Sequence, residues 1–303
     1  MTAHITKRQA ASNHTSQIVV RQVAASAGSQ ATEPNPPLPS RLPTFVRGRV
    51  LAEHLLVDQV FEVTPNGTFL RAHDLERDQV VLVRLRPRPE RPDPARGQVR
   101  GWFQRIDHPL SSAAVLGTLG VGVLNGGWPL LVSQYWRGRS LEAFLRSGEA
   151  PDLLLVLRLA RQLALALDGA HRLGQAHGAL RADDVWLSRN ADGQERPMLL
   201  GFQTREGIDG SAALVARDLT AFGDLLSLMV ASLLPRYRSA TREAALGNHA
   251  RDSAALLVIM GPLTRVAAGC QEVSSAGQYR SVAEAAIALA RVEGIATKLN
   301  AHQ

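Results

Sequence analysis

From Leu153 to Leu173 the chain is apolar on nearly every side of a helix, with only Arg158, Arg161, Gln162, Asp168, His171 and Arg172 interrupting it. A helix without a continuous polar face has to be surrounded by other elements. Asp152 supplies an N-cap and Gly174 stands past the last turn, which bounds the helix at both ends. A polar loop follows at once, His177-Gly178-Ala179-Leu180-Arg181-Ala182-Asp183-Asp184. After it come a short β-like piece, Met198-Leu199-Leu200, and a turn, Gly201-Phe202-Gln203. The rest of the chain has to wrap this helix and leave the loop at its end.

The other elements supply that wrapping. Ala212 to Leu234 reads as a second buried helix, stopped by Pro235. It is the most membrane-like run in the chain, but Arg217, Asp218 and Asp224 make a bilayer position costly, so it is read as a core helix. Ala254 to Ala268 and Ser281 to about Ala296 read as further helices, the second opened by a capping box at Ser281 and Glu284. Residues 236 to 252 read as a loop with a short helix. Ser140 caps a helix to about Ser147. The first third is different. Leu55 to Pro87 gives three strands, broken at Thr64-Pro65-Asn66-Gly67 and at His73-Asp74. Arg96 to Ile106 is expected to form a short helix. Val115 to Tyr135 is a hairpin around Asn125-Gly126-Gly127. Gly120-Val121-Gly122 inside it lacks the third glycine and the following helix that a dinucleotide site needs.

Residues 1–45 are rich in Pro, Ala and Ser, lean basic, and carry few large apolar side chains, so disorder is expected there. No secretory signal or spanning segment is expected, and the protein is expected to be cytoplasmic. The Ala/Leu/Arg-rich composition favours a bacterial origin over an organellar transit peptide. Cys270, the one cysteine, excludes an internal disulfide and reads as a small buried hydrophobe. The formal net charge of +7 favours acidic partners mildly.

The order of elements, with His177 to Asp184 followed by Gly201-Phe202-Gln203, resembles a protein kinase of the bacterial Ser/Thr type, whose loop reads His-Arg-Asp-Leu-Lys-Pro-Glu-Asn and whose turn reads Asp-Phe-Gly. Asn66 to Asp74 with Leu85-Arg86-Pro87, Leu131 to Leu141, and Ala216 to Gly223 around Asp218 resemble the same family. The resemblance covers about Leu55 to Val292. It implies an α+β, two-lobed protein kinase-like fold. The small, mainly antiparallel N-lobe would run over about 50–133 and the larger helical C-lobe over about 134–298, within a domain 46–298 and with a tail at 299–303.

The resemblance also marks what chemistry is missing. Phosphoryl transfer needs the phosphates held, the metal held and the nucleophile positioned. The three glycines over the phosphates fall on Glu62, Thr64 and Gly67, so only Gly67 remains. The phosphate-pairing lysine falls on Val83. Arg84 is adjacent, and strand alternation turns it away from the cleft in that register. A slip of one residue would turn it inward. No acid occurs in Gln98 to Trp102, where the lysine's helical glutamate partner belongs. The general base falls on Ala179, whose methyl cannot accept a proton. The metal-binding asparagine falls on Asp184 and the other metal ligand on Gly201, and one carboxylate alone is a poor magnesium site. The activation segment is shortened, with fourteen residues between Gln203 and Asp218 and no Ala-Pro-Glu anchor, and the arginine that would pair with that anchor falls near Gln278. His177 and Phe202 read as structural residues. Asp218 reads as a buried carboxylate that accepts backbone hydrogen bonds near His177 and Gly178.

These residues imply a catalytically inactive kinase-like protein, a pseudokinase, acting as a regulatory or scaffolding protein-interaction module. Its partner would be an active kinase or another signalling protein. No metal or cofactor is expected, although ATP held without magnesium stays open, with Gly67 and Arg84 as the candidate contacts and Asp184 as the candidate metal ligand. The alternative is a divergent nucleotide-binding Ser/Thr kinase-like phosphotransferase with a weak or migrated active site. A second alternative is a nucleic-acid-binding module, drawn from nine arginines between Arg71 and Arg105, against which stands the scarcity of interleaved aromatic residues.

Overall fold

A computed structural model describes residues 47–64, 66–87, 101–106, 114–149, 151–189, 193–202, 212–246, 251–271 and 278–301. The expected disordered segment 1–45 lies outside them, as does most of the shortened activation segment, residues 203–211.

The first part of the chain forms β1 (Val50–Leu51), β2 (Leu55–Thr64), β3 (Gly67–Asp74), β4 (Gln79–Leu85), β5 (Trp102–Arg105), β6 (Thr118–Leu124) and β7 (Trp128–Gln134). They make one antiparallel seven-stranded sheet in the order β1-β2-β3-β4-β7-β6-β5. The hairpin turns fall where glycine and asparagine predict them. Gly126 and Gly127 both adopt positive φ, at 93° and 87°, between β6 and β7.

The short helix expected over 96–106 is not formed in its described part. Trp102–Arg105 is an edge strand paired with Val123 to Gly120 of β6. Gly120 makes that pairing possible, because a Cβ there would overlap the Phe103 ring. The Gly-Val-Gly run therefore serves close strand packing, and the aromatic residue settles the segment as sheet.

The second part begins with β8 (Gly138–Ser140), α1 (Leu141–Arg146) and α2 (Leu153–Arg172). Ser140 Oγ accepts from the Ala143 N–H, and Asp152 Oδ2 accepts from the Leu155 N–H, so both helices open on the predicted caps. A single turn of 3₁₀ helix, Ala182–Asp184, leads into β9 (Val185–Arg189) and β10 (Glu195–Leu199), which pair with β8 in the order β10-β9-β8. Four helices complete the lobe: α3 (Ala212–Ser232), α4 (Leu234–Ala245), α5 (Arg251–Gln271) and α6 (Val282–Ala301). Pro235 lies in the first turn of α4, where its missing N–H costs nothing. Glu284 donates its N–H to Ser281 Oγ and reaches back to the Arg280 N–H, closing the start of α6.

This is a two-lobed α+β fold. The sheet has its own core, including Leu55, Leu70, Val81, Val83, Leu85 and Val132. The helical lobe has another, built on Leu157, Leu163, Leu167, Phe202, Phe222 and Leu263. Cys270 is buried on α5, and its burial pushes the thiol up to about 12. A third apolar cluster, Phe69, Leu82, Leu116, Leu131, Trp186, Met198 and Leu200, fills the seam between the lobes.

Candidate functional site

β4 decides the chemistry of the seam. It lies between β3 and β7, so both of its edges are paired, and its two faces pack into two different apolar clusters. Val81, Val83 and Leu85 pack into the core of the sheet, while Leu82 and Arg84 face the helical lobe. Arg84 thus points inward, and the register that placed Val83 at the cleft is corrected by one residue. Arg84 is 1% exposed. Its guanidinium donates through Nη1 to Asp184 Oδ1 at 2.5 Å and through Nη2 to Asp183 Oδ2. It also lies over the Phe69 ring, 5.4 Å from the centroid. Arg86, two residues along the same face, donates to Asp184 Oδ1 as well.

Asp184 is fully enclosed, and its Oδ2 accepts the Arg181 N–H at 2.9 Å. Burial works against its ionisation, but Arg84, His177 and Arg86 outweigh it and hold the carboxyl below its ordinary value. Burial pulls Arg84 down to about 10, against the attraction of Asp184, which leaves it cationic at neutral pH. The four side chains form a closed ionic knot between the lobes. Asp183 Oδ1 and Arg84 Nε have no hydrogen-bond partner in it.

A depressed carboxyl ties stability to pH. Asp184 contributes in full above the unfolded value near 3.8 and loses that contribution as pH falls through its lower folded value. Urea midpoints measured between about pH 5 and pH 2 are expected to fall for the native chain, and to fall less steeply for Asp184→Asn. Equal slopes would mean that Asp184 titrates as a free carboxylate.

The remaining positions assemble around the knot. Gly201 has φ +85°, and a Cβ built on it would lie 3.7 Å from both Asp184 Oδ1 and His177 Nε2. The turn therefore stands beside Asp184, with no carboxylate on it. Gly201→Asp is expected to destabilise the chain by about 1–3 kcal/mol through left-handed backbone strain, with like-charge repulsion from Asp184 adding to it. Thermal melting checks this, and an unchanged Tm would sink it.

His177 Nε2 is 2.8 Å from the Leu200 carbonyl oxygen, and its ring meets Phe202 edge-on at 5.2 Å. The Thr118 hydroxyl donates to the Phe202 carbonyl at 2.9 Å, tying the turn to β6. Asp218, on α3, accepts the N–H of His177 and of Gly178, each at 2.7 Å, and lies 2.9 Å from His171 Nε2. It fixes the loop that carries Ala179. Among the described residues no group of three His, Cys, Asp or Glu side chains is placed to hold a metal ion.

The β2–β3 hairpin is latched onto the helical lobe. Ser140 donates its N–H and its hydroxyl to Glu62, at 3.3 and 2.5 Å. Burial still pushes Glu62 above the ordinary carboxylate range, against those two bonds. Asn66 Nδ2 donates to both oxygens of Glu142 at 3.0 and 2.9 Å. At Gly67 a Cβ would stand 2.6 Å from the Leu85 carbonyl oxygen, so this glycine allows β3 to approach β4. Behind the hairpin, Trp186 is wholly buried. Its indole N–H donates to the Trp136 carbonyl at 2.9 Å, and its ring lies 5.2 Å from Phe69 and 6.5 Å from Phe61.

Three residues that the sequence reading passed over thus matter most: Asp183, Arg86 and Trp186. The doubled acid Asp183-Asp184 was a usable signal, since two adjacent buried carboxylates demand a cation. The basic run also changes meaning. Of its nine arginines, Arg71 pairs with Asp58, Arg84 and Arg86 with the two aspartates, and Arg105 with Glu76. Arg88, Arg91, Arg96 and Arg100 lie outside the described residues.

No family model matches the chain. A stretch of 111 residues is 32% identical to the serine/threonine-protein kinase PknK of Mycobacterium tuberculosis, and equally to that of Mycobacterium bovis. The match covers 35% of this chain and spans only 10% of the length of each relative. Among solved structures, the Mycobacterium tuberculosis PknI kinase domain aligns with a TM-score of 0.52 at 16% identity, over 82% of this chain and 100% of that one. A double mutant of the same domain gives 0.50 at 17% identity, over 83% and 100%.

Proposed function

From a protein kinase-like fold whose interlobe seam is closed by its own side chains, we propose that the chain is a pseudokinase. It acts as a regulatory or scaffolding module that binds protein, with an active kinase or another signalling protein as partner. The observation that carries this reading is the Arg84 guanidinium buried between Asp183 and Asp184. By the resemblance, Asp184 is a place for metal and the inward side chain of β4 a place for phosphate. Here each neutralises the other. A phosphate arriving at Arg84 would have to displace two carboxylates, and a metal arriving at Asp184 would have to displace two guanidiniums.

Two further features support the reading. Ala179 stands where a base would accept the hydroxyl proton, and Gly201 offers no second carboxylate. The ion pairs of Arg71, Arg84, Arg86 and Arg105 leave less free positive charge for a nucleic acid than the sequence suggests. Among the described residues, no helix is long and apolar enough to cross a membrane.

Thermal melting with ATP and magnesium, manganese or chelator tests this. A ligand at a thousand times its Kd stabilises the folded form by about 4 kcal/mol, so micromolar binding cannot hide at millimolar ATP. No shift is expected under any of these conditions. A metal-dependent shift would return Asp184 to the role of ligand and favour the phosphotransferase reading. A metal-independent shift would make the chain a nucleotide sensor.

A further inference from the structure

α4 is loosely held by the rest of its lobe. Leu233 gives it no side-chain cap, and it packs mainly on α5. Among its twelve residues only Ala240 is buried, with Tyr237 part-buried against the helical core. Arg238 and Arg242 stand one turn apart on it and repel each other. A short helix with so little burial opens locally at low cost.

The same helix brings exposed hydroxyls and free cations together. Arg236, Arg238 and Arg242 are exposed and take part in no ion pair among the described residues. The exposed hydroxyls among the described residues are those of Ser147, Ser239, Thr241, Thr264 and Thr297. Of these, Ser239 and Thr241 alone have an arginine three residues before them, and Ser239 alone has a second arginine at that side, Arg238, directly before it. The Ser239 hydroxyl is held only by a 3.3 Å bond to Glu243 Oε1, whereas the Thr241 hydroxyl donates to the Tyr237 carbonyl at 2.9 Å. Arg236 and Arg242 lie one turn before and one turn after Ser239, on its face of the helix.

We propose that Ser239 is a phosphorylation site for an ATP-dependent Ser/Thr kinase that selects arginine ahead of its acceptor. Such an enzyme reads charge at fixed distances from the hydroxyl, and Arg236 and Arg238 supply two cations in the three residues before it. Local opening of α4 presents Arg236-Tyr237-Arg238-Ser239 in extended form. Ser239 Oγ then attacks the γ-phosphorus of ATP. The new O–P bond forms as the bond to the bridging oxygen breaks, the hydroxyl proton passes to the acting kinase's carboxylate base, and ADP leaves with the electron pair. When the helix closes again, a phosphate of charge about −2 lies within one turn of Arg236 and Arg242 and accepts charge-assisted bonds from them. Asp152 and Glu243 line the cleft of about 190 Å³ beneath Ser239, and their charge keeps the phosphate on the outer face. The proposal goes beyond the pseudokinase reading and does not depend on it, because the phosphoryl donor is held by another enzyme.

The test incubates the full chain with ATP, magnesium and a purified Ser/Thr kinase domain of that selectivity, and maps phosphate by mass spectrometry. The native chain is compared with Ser239→Ala, Thr241→Ala, Arg236→Ala and, as a remote control on α6, Arg291→Ala. All four positions are exposed, so the variants keep the fold, and thermal melting confirms it. The expected result is phosphate at Ser239 in the native chain, Thr241→Ala and Arg291→Ala. Its rate in Arg236→Ala is expected to fall by at least about tenfold, the worth of one charge-assisted bond to the acting kinase. No phosphate at Ser239, phosphate there only after the chain has been unfolded by heat, or a rate indifferent to Arg236→Ala would overturn the proposal. Phosphate at Ser239 without any added kinase would keep the site and overturn the pseudokinase reading instead.

Discussion

Arg84→Ala is expected to lower the unfolding free energy by about 3–5 kcal/mol, because it leaves buried carboxylates without their cation. Asp183 loses its ion pair with Arg84, and Asp184 keeps Arg86, which is itself part-exposed, the Arg181 N–H, and His177 at 4.0 Å. The urea midpoint should drop with little change in m. The double variant Arg84→Met with Asp183→Leu replaces an ion pair by apolar groups and leaves Asp184 with Arg86. It is expected to recover most of the loss, since a buried ion pair and a well-packed apolar pair of like volume differ little. A loss below about 1 kcal/mol in Arg84→Ala would place the pair in the range of solvated surface bridges and would reopen the cleft to ligands.

Trp186→Ala should cost a similar amount, about 3–5 kcal/mol, through lost burial and a residual cavity. The Trp136 carbonyl also loses its donor. The space left behind would be lined by Phe69, Leu82, Leu131 and Met198, all buried and apolar. Such a cavity stays dry and takes up flat apolar molecules. Added indole is therefore expected to raise the Tm of Trp186→Ala and leave the native chain unchanged. If indole stabilises both proteins equally, the seam already holds space for a ring, and the closed-cleft account is wrong.

The two predictions concern one seam, held in two ways. Trp186 fills it with volume. Arg84, Arg86, Asp183 and Asp184 fill it with charge that is already matched. The Glu62–Ser140 and Asn66–Glu142 bonds then hold the β2–β3 hairpin against the helical lobe. Volume, matched charge and these bonds together join the sheet to the helical lobe.

Local features were legible because their causes are local. Ser140 and Asp152 cap helices through bonds spanning three residues. Asn125-Gly126-Gly127 turns the chain because glycine tolerates positive φ. The apolar surround of α2 and α3 put both in the core, and Asp218 on α3 had to find donors within reach. The expected helix over 96–106 failed for a tertiary reason: β6 offered Trp102–Arg105 a partner along its open side, and pairing took the segment.

What the sequence by itself determined is the order of elements, the caps and turns between them, and which carboxylates and glycines sit on the catalytic-type loop and turn. It could not determine the face of Arg84. Val80-Val81-Leu82-Val83-Arg84-Leu85 carries apolar residues on both faces, because each face packs into its own apolar cluster, so alternation gives two sets of residues without saying which set meets the other lobe. The tertiary structure decided it by bringing Asp183 and Asp184 to β4 from about a hundred residues away in the chain. Only in that packing does the arginine have a charge to answer, and the cleft closes on the pair.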